Sequence, residues 1–249
     1  MIDLKGKHVV VVGGSRGIGA AAAKLAGETG AAVSIIYRAR EDAANAVVEA
    51  ISLGGSPASA FRADASVEAE ISAAIKGAVE AHGPIHGLVV SAGVFEGIRL
   101  EDMTVEFWDR MMGVNLRATF LAVRESAPHM PEDSSIVIYS STAGQRGSAV
   151  FSAYATSKGA QILFMRSMAQ ELGPRKIRVN CIAPSWTDTD MADASLTKLD
   201  RTEVAKSFPL GRIGVAEDVA KATLFLLSPL AGFITGTTVT VDGGSDMRG

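Results

Sequence analysis

The chain has 249 residues, of which 47% are hydrophobic and 20% are charged, and its net charge is −3. These values are typical of a globular protein and exclude a disordered or fibrous one, and they give no sign of a nucleic-acid-binding surface. Cys181 is the only cysteine, so no internal disulfide can form, and the four histidines lack ligand spacing, so we expect no metal site. No apolar run is long enough for a membrane span or a signal peptide, which predicts a cytoplasmic protein. The chain length fits a single domain, residues 1–249.

A glycine-rich turn follows the first predicted strand. His8–Val12 is a continuous apolar run, typical of a strand that is covered on both faces in a parallel sheet. Gly13–Gly19 comes next, and a helix is predicted from about Ala20 to Gly30. Glycines in such a turn let the backbone approach a pyrophosphate, which the free N–H groups at the helix N-terminus favour. The spacing Gly-x-x-x-Gly-x-Gly differs from the common dinucleotide pattern, but its strand and helix context predicts a nucleotide site.

The second predicted strand, Ala32–Tyr37, bears on the choice of nucleotide. It ends about twenty residues after the glycines, where an NAD site carries Asp or Glu for the ribose 2′-hydroxyl. Here Arg38 and Arg40 follow, and no carboxylate comes before Glu41. Arg38 and Arg16 could hold a 2′-phosphate by charge-assisted hydrogen bonds. Alternatively, Arg38 and Arg40 could be solvated loop charges. We expect NADP(H) to be preferred over NAD(H).

The next two strands also deliver small or polar residues. After a helix at Glu41–Leu53, strand Ala58–Arg62 leads to Asp64, which could accept from an adenine amino group or cap the helix predicted for Val67–His82. Both alternatives are open. The strand Gly87–Ser91 leads to Ala92 and Gly93, where a flat ring or a ribose could lie against the backbone.

A long helical region, Thr104–His129, contains a polar residue between apolar neighbours. Asn115 lies between Val114 and Leu116, and a buried amide in mid-helix needs hydrogen-bond partners.

The segment after strand Ser135–Ser140 carries the residues best suited to proton transfer. Tyr154 and Lys158 are four residues apart, which places them on one helix face. A cation within about 4–6 Å lowers the pKa of a phenol from its usual value of about 10, so that it can exchange protons near neutrality. Ser141, at the end of the strand, could steady a carbonyl oxygen beside the phenol.

The last third of the chain continues the alternation. We predict a helix ending at Gly173, strand Ile177–Ala183 before Pro184, helix Ala216–Leu227 and strand Thr237–Val241. The irregular stretch 185–212, with a possible short helix around 196–207, has the length of a lid or binding loop.

Seven strands alternating with helices predict an α/β fold: a doubly wound, Rossmann-type parallel sheet with helices on both faces. Each candidate residue comes just after the apolar run of a strand, and that edge of an open α/β sheet is where ligands bind.

Together these residues resemble the short-chain dehydrogenase/reductase family, over essentially the whole chain. The family's Thr-Gly-x-x-x-Gly-x-Gly appears at 12–19, its Asn-Asn-Ala-Gly at 90–93 and its Pro-Gly-x-x-x-Thr at 184–189. Its Asn-Ser-Tyr-Lys tetrad falls on Asn115, Ser141, Tyr154 and Lys158.

The resemblance implies a role for each member of the tetrad. Tyr154 would be the general acid or base, and Lys158 would lower the Tyr154 pKa and hold the nicotinamide ribose. Ser141 would hydrogen-bond the carbonyl, and Asn115 would keep a water that joins Lys158 to solvent.

A cofactor site and a partly apolar substrate pocket are expected around the tetrad. Besides Tyr154 and Lys158, the cofactor residues are Gly13, Ser15, Arg16, Gly17, Ile18, Gly19, Arg38, Asp64, Ala65, Ala92, Gly93, Pro184, Thr187 and Thr189. The substrate residues are Phe95, Ser141, Phe151, Trp186 and Met191.

The chain departs from the family pattern at four positions. Val12 replaces a threonine, and Val90 and Ser91 replace two asparagines, so hydrogen bonds at this edge of the sheet would be missing or rerouted. Ser185 replaces a glycine, and a residue with a Cβ tolerates a positive φ poorly. None of these changes touches the tetrad.

Within the family the chain is most similar to 3-oxoacyl-carrier-protein reductases, through residues 234–236 and 241–244. Residues 131–133, Pro-Glu-Asp, would repel an acidic carrier, and Arg175 and Lys176 only partly offset this. We therefore expect a small free ketone or alcohol as substrate. The alternatives are a carrier-protein reductase and a nucleotide-binding regulator without catalysis.

The family usually forms homotetramers. The resemblance implies one interface through the helices near 104–129 and 152–172, and another through the C-terminal strand. Phe225–Leu227 suits such an interface and suits a core helix equally.

Overall fold

The computed structural model describes residues 2–191 and 200–247. The strands of its main sheet are β1 His8–Val12, β2 Ala32–Tyr37, β3 Ala58–Arg62, β4 Gly87–Val90, β5 Ser135–Tyr139, β6 Arg178–Pro184 and β9 Thr238–Val241. A separate pair consists of β7 Thr187–Asp188 and β8 Gly214–Val215. The α-helices are α1 Gly17–Glu28, α2 Glu41–Leu53, α3 Glu68–His82, α4 Val105–Met112, α5 Ala118–Ser126, α6 Thr142–Arg146, α7 Ser152–Leu172, α8 Arg201–Lys206 and α9 Ala216–Leu227.

Within the described residues, seven strands form one parallel sheet in the order β3-β2-β1-β4-β5-β6-β9. Val12 pairs with Ile36 on one side and with Val90 on the other, so the chain order reverses between β1 and β4. The predicted doubly wound sheet is confirmed. A crevice opens at such a reversal, at the carboxyl ends of the strands.

Both faces of the sheet are covered, which explains why β1 is apolar throughout. Val10 and Val12 pack with residues of α3, α5 and α7, while Val9 and Val11 pack with residues of α1, α2 and α9. Among the described residues, no helix combines the length and apolarity needed to cross a bilayer.

The predicted helix Thr104–His129 is divided in the structure. Thr104 caps α4 by accepting a hydrogen bond from the Phe107 N–H at 3.2 Å. A π-helical segment, Gly113–Arg117, separates α4 from α5, and the region ends in a 3-10 helix, Ala127–His129, which contains a proline. A π-helical turn holds one residue more than an α-turn and is frequent at functional sites.

The irregular stretch 185–212 is partly regular. β7 begins at Thr187, and α8 begins after Asp200, whose carboxylate accepts from the Thr202 N–H at 2.8 Å. The second half of the predicted helix at 196–207 therefore corresponds to α8. Residues 196–199 of that prediction lie outside the described residues.

Candidate active site

One cleft of about 380 Å³ lies at the carboxyl ends of the strands, over the reversal between β1 and β4. All of the predicted site residues line it except Gly19 and Asn115. The cleft therefore brings together residues that are far apart in the chain, between Val12 and Met191. No group of three or more His, Cys, Asp or Glu residues in the described part of the chain could hold a metal ion.

The glycine turn joins β1 to α1 and packs against the end of β4. Gly13 has a φ of +85°, and a Cβ on it would lie 2.6 Å from the Ala92 nitrogen. Gly19 does not line the cleft, because it packs inside the turn against Gly13. Arg16 is extended at the N-cap of α1, and its side chain does not cap the helix. Because no side chain of the described residues caps α1, its first N–H groups can bind a phosphate.

Two arginines beside this turn are accessible to a ligand. The Arg16 Nη1 is 3.8 Å from the Asp190 Oδ2, and the Arg38 Nη1 is 3.7 Å from the Asp64 Oδ2. Both arginine side chains are more than half exposed, at 55% and 59%. Ion pairs this long and this exposed contribute little free energy. Arg40, in contrast, makes two hydrogen bonds with Asp42, at 3.1 and 3.0 Å.

Asp64 organises the turn that precedes α3. Its Oδ1 accepts from both the N–H and the hydroxyl of Ser66, at 2.9 and 2.6 Å, while its Oδ2 faces Arg38. The α3 N-cap is Val67, which has no side-chain cap. Asp64 therefore holds the turn and not the helix N-terminus itself, and only its Oδ2 is directed away from Ser66.

The predicted Ser-Tyr-Lys residues meet at the centre of the cleft. The Ser141 hydroxyl lies beside the Tyr154 phenol and acts on its pKa, and Ser141 accepts from the Ala143 N–H at 3.1 Å, which caps α6. The Lys158 Nζ lies 5.8 Å from the centre of the Tyr154 ring. It donates to the Tyr139 main-chain oxygen at 2.7 Å.

The expected net lowering of the Tyr154 pKa is wrong for this structure, because burial raises that pKa and the Ser141 hydroxyl beside the phenol offsets the rise only in part. Burial also lowers the pKa of Lys158 to about 8. The reason is that both groups are buried and the ammonium points to the Tyr139 oxygen. At pH 7 the phenol is protonated and the amine is mostly charged.

Asn115 lies in the π-helical segment, behind the cleft. Its Oδ1 accepts from the Val94 N–H at 2.8 Å, and its Nδ2 donates to the Val94 oxygen at 3.2 Å and to the Ser157 Oγ at 3.0 Å. The side chain thus holds both polar groups of Val94, which lies between Gly93 and Phe95. The Asn115 main-chain oxygen accepts from Thr119 at 2.7 Å and from Gln161 at 3.0 Å.

Two residues of this network are not among those predicted from the sequence. Tyr139 holds Lys158 through its main-chain oxygen, and its own hydroxyl lies 2.7 Å from the Thr223 Oγ1. A role carried by a main-chain atom leaves no signal in the residue type. Gln161 supports the π-helical segment, and a signal was present, because it follows Tyr154 by seven residues and so shares its helix face.

The departures from the family pattern are accommodated locally. The Ser91 N–H donates to the Val12 oxygen at 2.8 Å, so the main chain ties β4 to β1 where side chains were expected to do so. The expected strain at Ser185 is absent, because Ser185 is not among the described residues with positive φ. Its N–H donates to the Val241 oxygen at 3.3 Å, and its hydroxyl accepts from Ser245 at 3.1 Å.

The cleft fits a nicotinamide dinucleotide. A Cβ on Gly13 or on Gly93 would fill space beside the backbone, the latter 3.1 Å from the Asn115 Oδ1. The first N–H groups of α1 and the accessible Arg16 and Arg38 suit phosphates, and Ser141, Tyr154 and Lys158 line the same cleft, with Asn115 behind it.

Comparison with known proteins agrees with this arrangement. A family model described as enoyl-(acyl carrier protein) reductase matches residues 12–246. A 3-oxoacyl-[acyl-carrier-protein] reductase from Chlamydia pneumoniae is 37% identical over 98% of both chains. The 2-(S)-hydroxypropyl-CoM dehydrogenase 3 of Xanthobacter autotrophicus is 37% identical over 97% of both chains.

Solved structures agree as well. A short chain dehydrogenase from Burkholderia cenocepacia in complex with NADP has a TM-score of 0.91 at 38% identity, covering 97% of this chain and 98% of its own. A blue fluorescent protein from a metagenomic library, in complex with NADPH, has a TM-score of 0.91 at 33% identity, covering 98% of this chain and 99% of its own. The resemblance found in the motifs is confirmed: the chain belongs to the short-chain dehydrogenase/reductase family, whose members are oxidoreductases that use a nicotinamide cofactor.

Proposed function

We propose that this protein is an NADP(H)-dependent oxidoreductase that interconverts a small ketone and a secondary alcohol, with Tyr154 as the general acid and base. The observation that carries the proposal is the buried Tyr154 phenol, which lies beside Ser141 and one helical turn from Lys158 in the cleft.

The chain's own residues supply the proton chemistry. Because burial raises the pKa of Tyr154, its phenol is protonated at neutral pH and donates a proton to the carbonyl oxygen. Ser141 hydrogen-bonds that oxygen, and the Lys158 ammonium stabilises the phenolate that forms. Of the three Lys158 donors, one is on the Tyr139 oxygen, which leaves two for the phenol and the ribose hydroxyls. The bound cofactor supplies or accepts the hydride.

The preference for NADP(H) rests on charge. Arg16 and Arg38 lie beside the glycine turn, more than half exposed, and among the described residues their side chains form long ion pairs of 3.8 and 3.7 Å. A 2′-phosphate there would gain charge-assisted hydrogen bonds. Related structures bind NADP and NADPH, which agrees with this assignment.

A free ketone suits the surface better than a carrier protein. Lys176 is paired with Glu132 at 2.8 Å, and the Arg175 Nη2 donates to the Ala127 and Met130 oxygens at 2.9 and 2.8 Å. The two cations next to the acidic residues 132–133 are thus engaged within the protein. Reduction of a carrier-bound 3-oxoacyl group remains the second candidate, since a relative carries that activity in its name.

We further propose that the chain acts as one domain in a cytoplasmic homotetramer. Trp108 and Leu163 are exposed on α4 and α7, and Leu230 and Phe233 are exposed before β9. Exposed apolar groups of this kind mark contact surfaces. Leu226 and Leu227 are buried and belong to the core, so only Phe225 of that trio is available.

The experiment compares wild type with Tyr154→Phe, using NADPH or NADH, on free ketones, diketones and a 3-oxoacyl thioester. Wild type should turn over a free ketone with NADPH, and Tyr154→Phe should bind NADPH normally and lose about 10²- to 10⁴-fold in kcat. Full turnover by Tyr154→Phe would refute the proton role. NADPH binding without turnover on any substrate would support a regulator in place of an enzyme.

A further inference from the structure

An aromatic cluster forms one wall of the substrate end of the cleft. We define the aromatic wall as Phe95, Phe151 and Trp186, all partly buried and all lining the cleft. The Phe95 ring is stacked on Phe151, with centroids 4.6 Å apart and an interplanar angle of 4°. Its edge contacts are with Tyr154 at 4.9 Å and with Trp186 at 5.7 Å. Phe95 is therefore the centre of the wall.

The aromatic wall contacts the ring of Tyr154, which carries the reacting hydroxyl. Because the Phe95 centroid is 4.9 Å from that of Tyr154 and both residues line the cleft, a substituent bonded directly to a carbonyl carbon held at the phenol can reach Phe95. A flat ring at this position can make stacked or edge contacts, which are favourable at centroid separations of about 4.5–7 Å. A saturated ring of the same size has no such geometry.

The backbone keeps the stacked pair in place. A Cβ on Gly97 would lie 2.7 Å from the Phe151 Cε1, so only glycine lets this ring approach the loop after β4. The Ile98 N–H donates to the Val150 oxygen at 2.8 Å, which joins that loop to the one before α7. Val150 has a φ of +69°, a conformation that a β-branched residue adopts only where the surrounding structure imposes it. A wall built this way is rigid and favours a rigid, flat partner.

The charged groups near the wall are paired with each other. The Glu96 carboxylate makes two hydrogen bonds with Arg110, at 2.8 and 2.6 Å. Arg146, which lines the cleft, has its Nε 3.8 Å from the Asp246 Oδ2. This pair is as long as that of Arg16 and Asp190, but the Asp246 side chain is only 5% exposed, so Arg146 is needed as the counter-charge of a buried carboxylate. The described part of this end of the cleft therefore suits an uncharged substrate.

We infer that the substrate is an uncharged aryl ketone or the corresponding aryl alcohol, with the aromatic ring bonded directly to the reacting carbon and held against the Phe95–Phe151 pair. This inference rests on the proposed function and specifies its substrate class. Phe95 is its specificity-determining residue.

The test uses acetophenone and cyclohexyl methyl ketone, which differ only in the unsaturation of the ring. Their kcat/KM ratio with NADPH is measured for wild type, Phe95→Leu and the control Phe120→Leu, whose ring pairs with Phe164 outside the cleft. Comparing ratios between variants cancels the different intrinsic reactivity of the two ketones. We expect the ratio to fall about two- to tenfold in Phe95→Leu and to stay unchanged in Phe120→Leu.

A second variant addresses the case in which Phe95→Leu folds poorly. Gly97→Ala should displace the Phe151 ring and lower the same ratio, while the affinity for NADPH stays that of wild type. The substrate class would be overturned if the ratio were unchanged in folded Phe95→Leu or Gly97→Ala. It would also be overturned if wild type reduced only the cyclohexyl ketone or a thioester. Either result would leave the reductase proposal intact. Absence of turnover on every ketone and thioester would overturn both.

Discussion

The two ends of the cleft are built in different ways. The cofactor end is shaped by the main chain: Gly13 lies against Ala92, and no side chain of the described residues caps the first N–H groups of α1. The tetrad and the aromatic wall are instead shaped by buried and partly buried side chains that come from distant segments, such as Asn115 holding Val94 and Phe95 stacked on Phe151. The first end depends on local conformation, and the second depends on packing.

The largest effect should come from the charge of Lys158, at the end of the cleft that depends on side-chain packing. Lys158→Met keeps an unbranched side chain but removes the ammonium, and we expect kcat to fall by about 10²- to 10⁴-fold. Because the pKa of Lys158 is lowered to about 8, its charge is present below that pH and is lost above it. The rate of ketone reduction should therefore decline as the pH rises through about 8.

The pH profile of Lys158→Arg provides the control. A guanidinium does not titrate in this range, so the decline near pH 8 should disappear even if the overall rate is lower. If the same decline persists in Lys158→Arg, another group is responsible and the assignment of the charge to Lys158 is wrong.

At the main-chain end, Gly13→Ala should be the most harmful change. Its Cβ would lie 2.6 Å from the Ala92 nitrogen at a φ of +85°, so the turn must move away from its binding conformation. We expect the affinity for NADPH to fall by at least about 100-fold, measured by fluorescence titration. Gly147→Ala is the matched control, because Gly147 has a φ of +78° but no atom within 4 Å of a Cβ. Equal losses of NADPH affinity in both variants would show that the positive φ causes the loss, and not the close approach of the Cβ to Ala92.

The difference between local conformation and the packing of distant segments also explains how much could be predicted from the sequence. The sheet and the glycine turn were predicted because each is encoded over a few consecutive residues, as in the apolar run His8–Val12. The sequence also placed Ser141, Tyr154 and Lys158 through their spacing. It could not show that Lys158 donates to the Tyr139 oxygen, or that burial raises the Tyr154 pKa. Those properties arise from packing between β5 and α7.

The nucleotide preference should respond to a single arginine. Arg38→Glu removes a cation and adds a carboxylate that can accept from a ribose 2′-hydroxyl. We expect kcat/KM for NADPH to fall by about 10- to 100-fold, while that for NADH rises. Arg40→Ala is the control, because Asp42 already holds Arg40. A similar change in Arg40→Ala would mean that the whole loop, and not Arg38, sets the preference.

The smallest effect tests whether the packed end depends on contacts far from the cleft. The buried Tyr139 hydroxyl lies 2.7 Å from the Thr223 Oγ1, and the Tyr139 main-chain oxygen accepts from Lys158. Thr223→Val leaves the phenol without its partner, so the free energy of unfolding should fall by about 1–3 kcal/mol, measured by urea denaturation. Thr223→Ser keeps the hydroxyl and should retain most of that stability. If folded Thr223→Val loses more kcat than Thr223→Ser does, α9 positions Lys158 through Tyr139. An unchanged kcat would confine the role of this contact to stability.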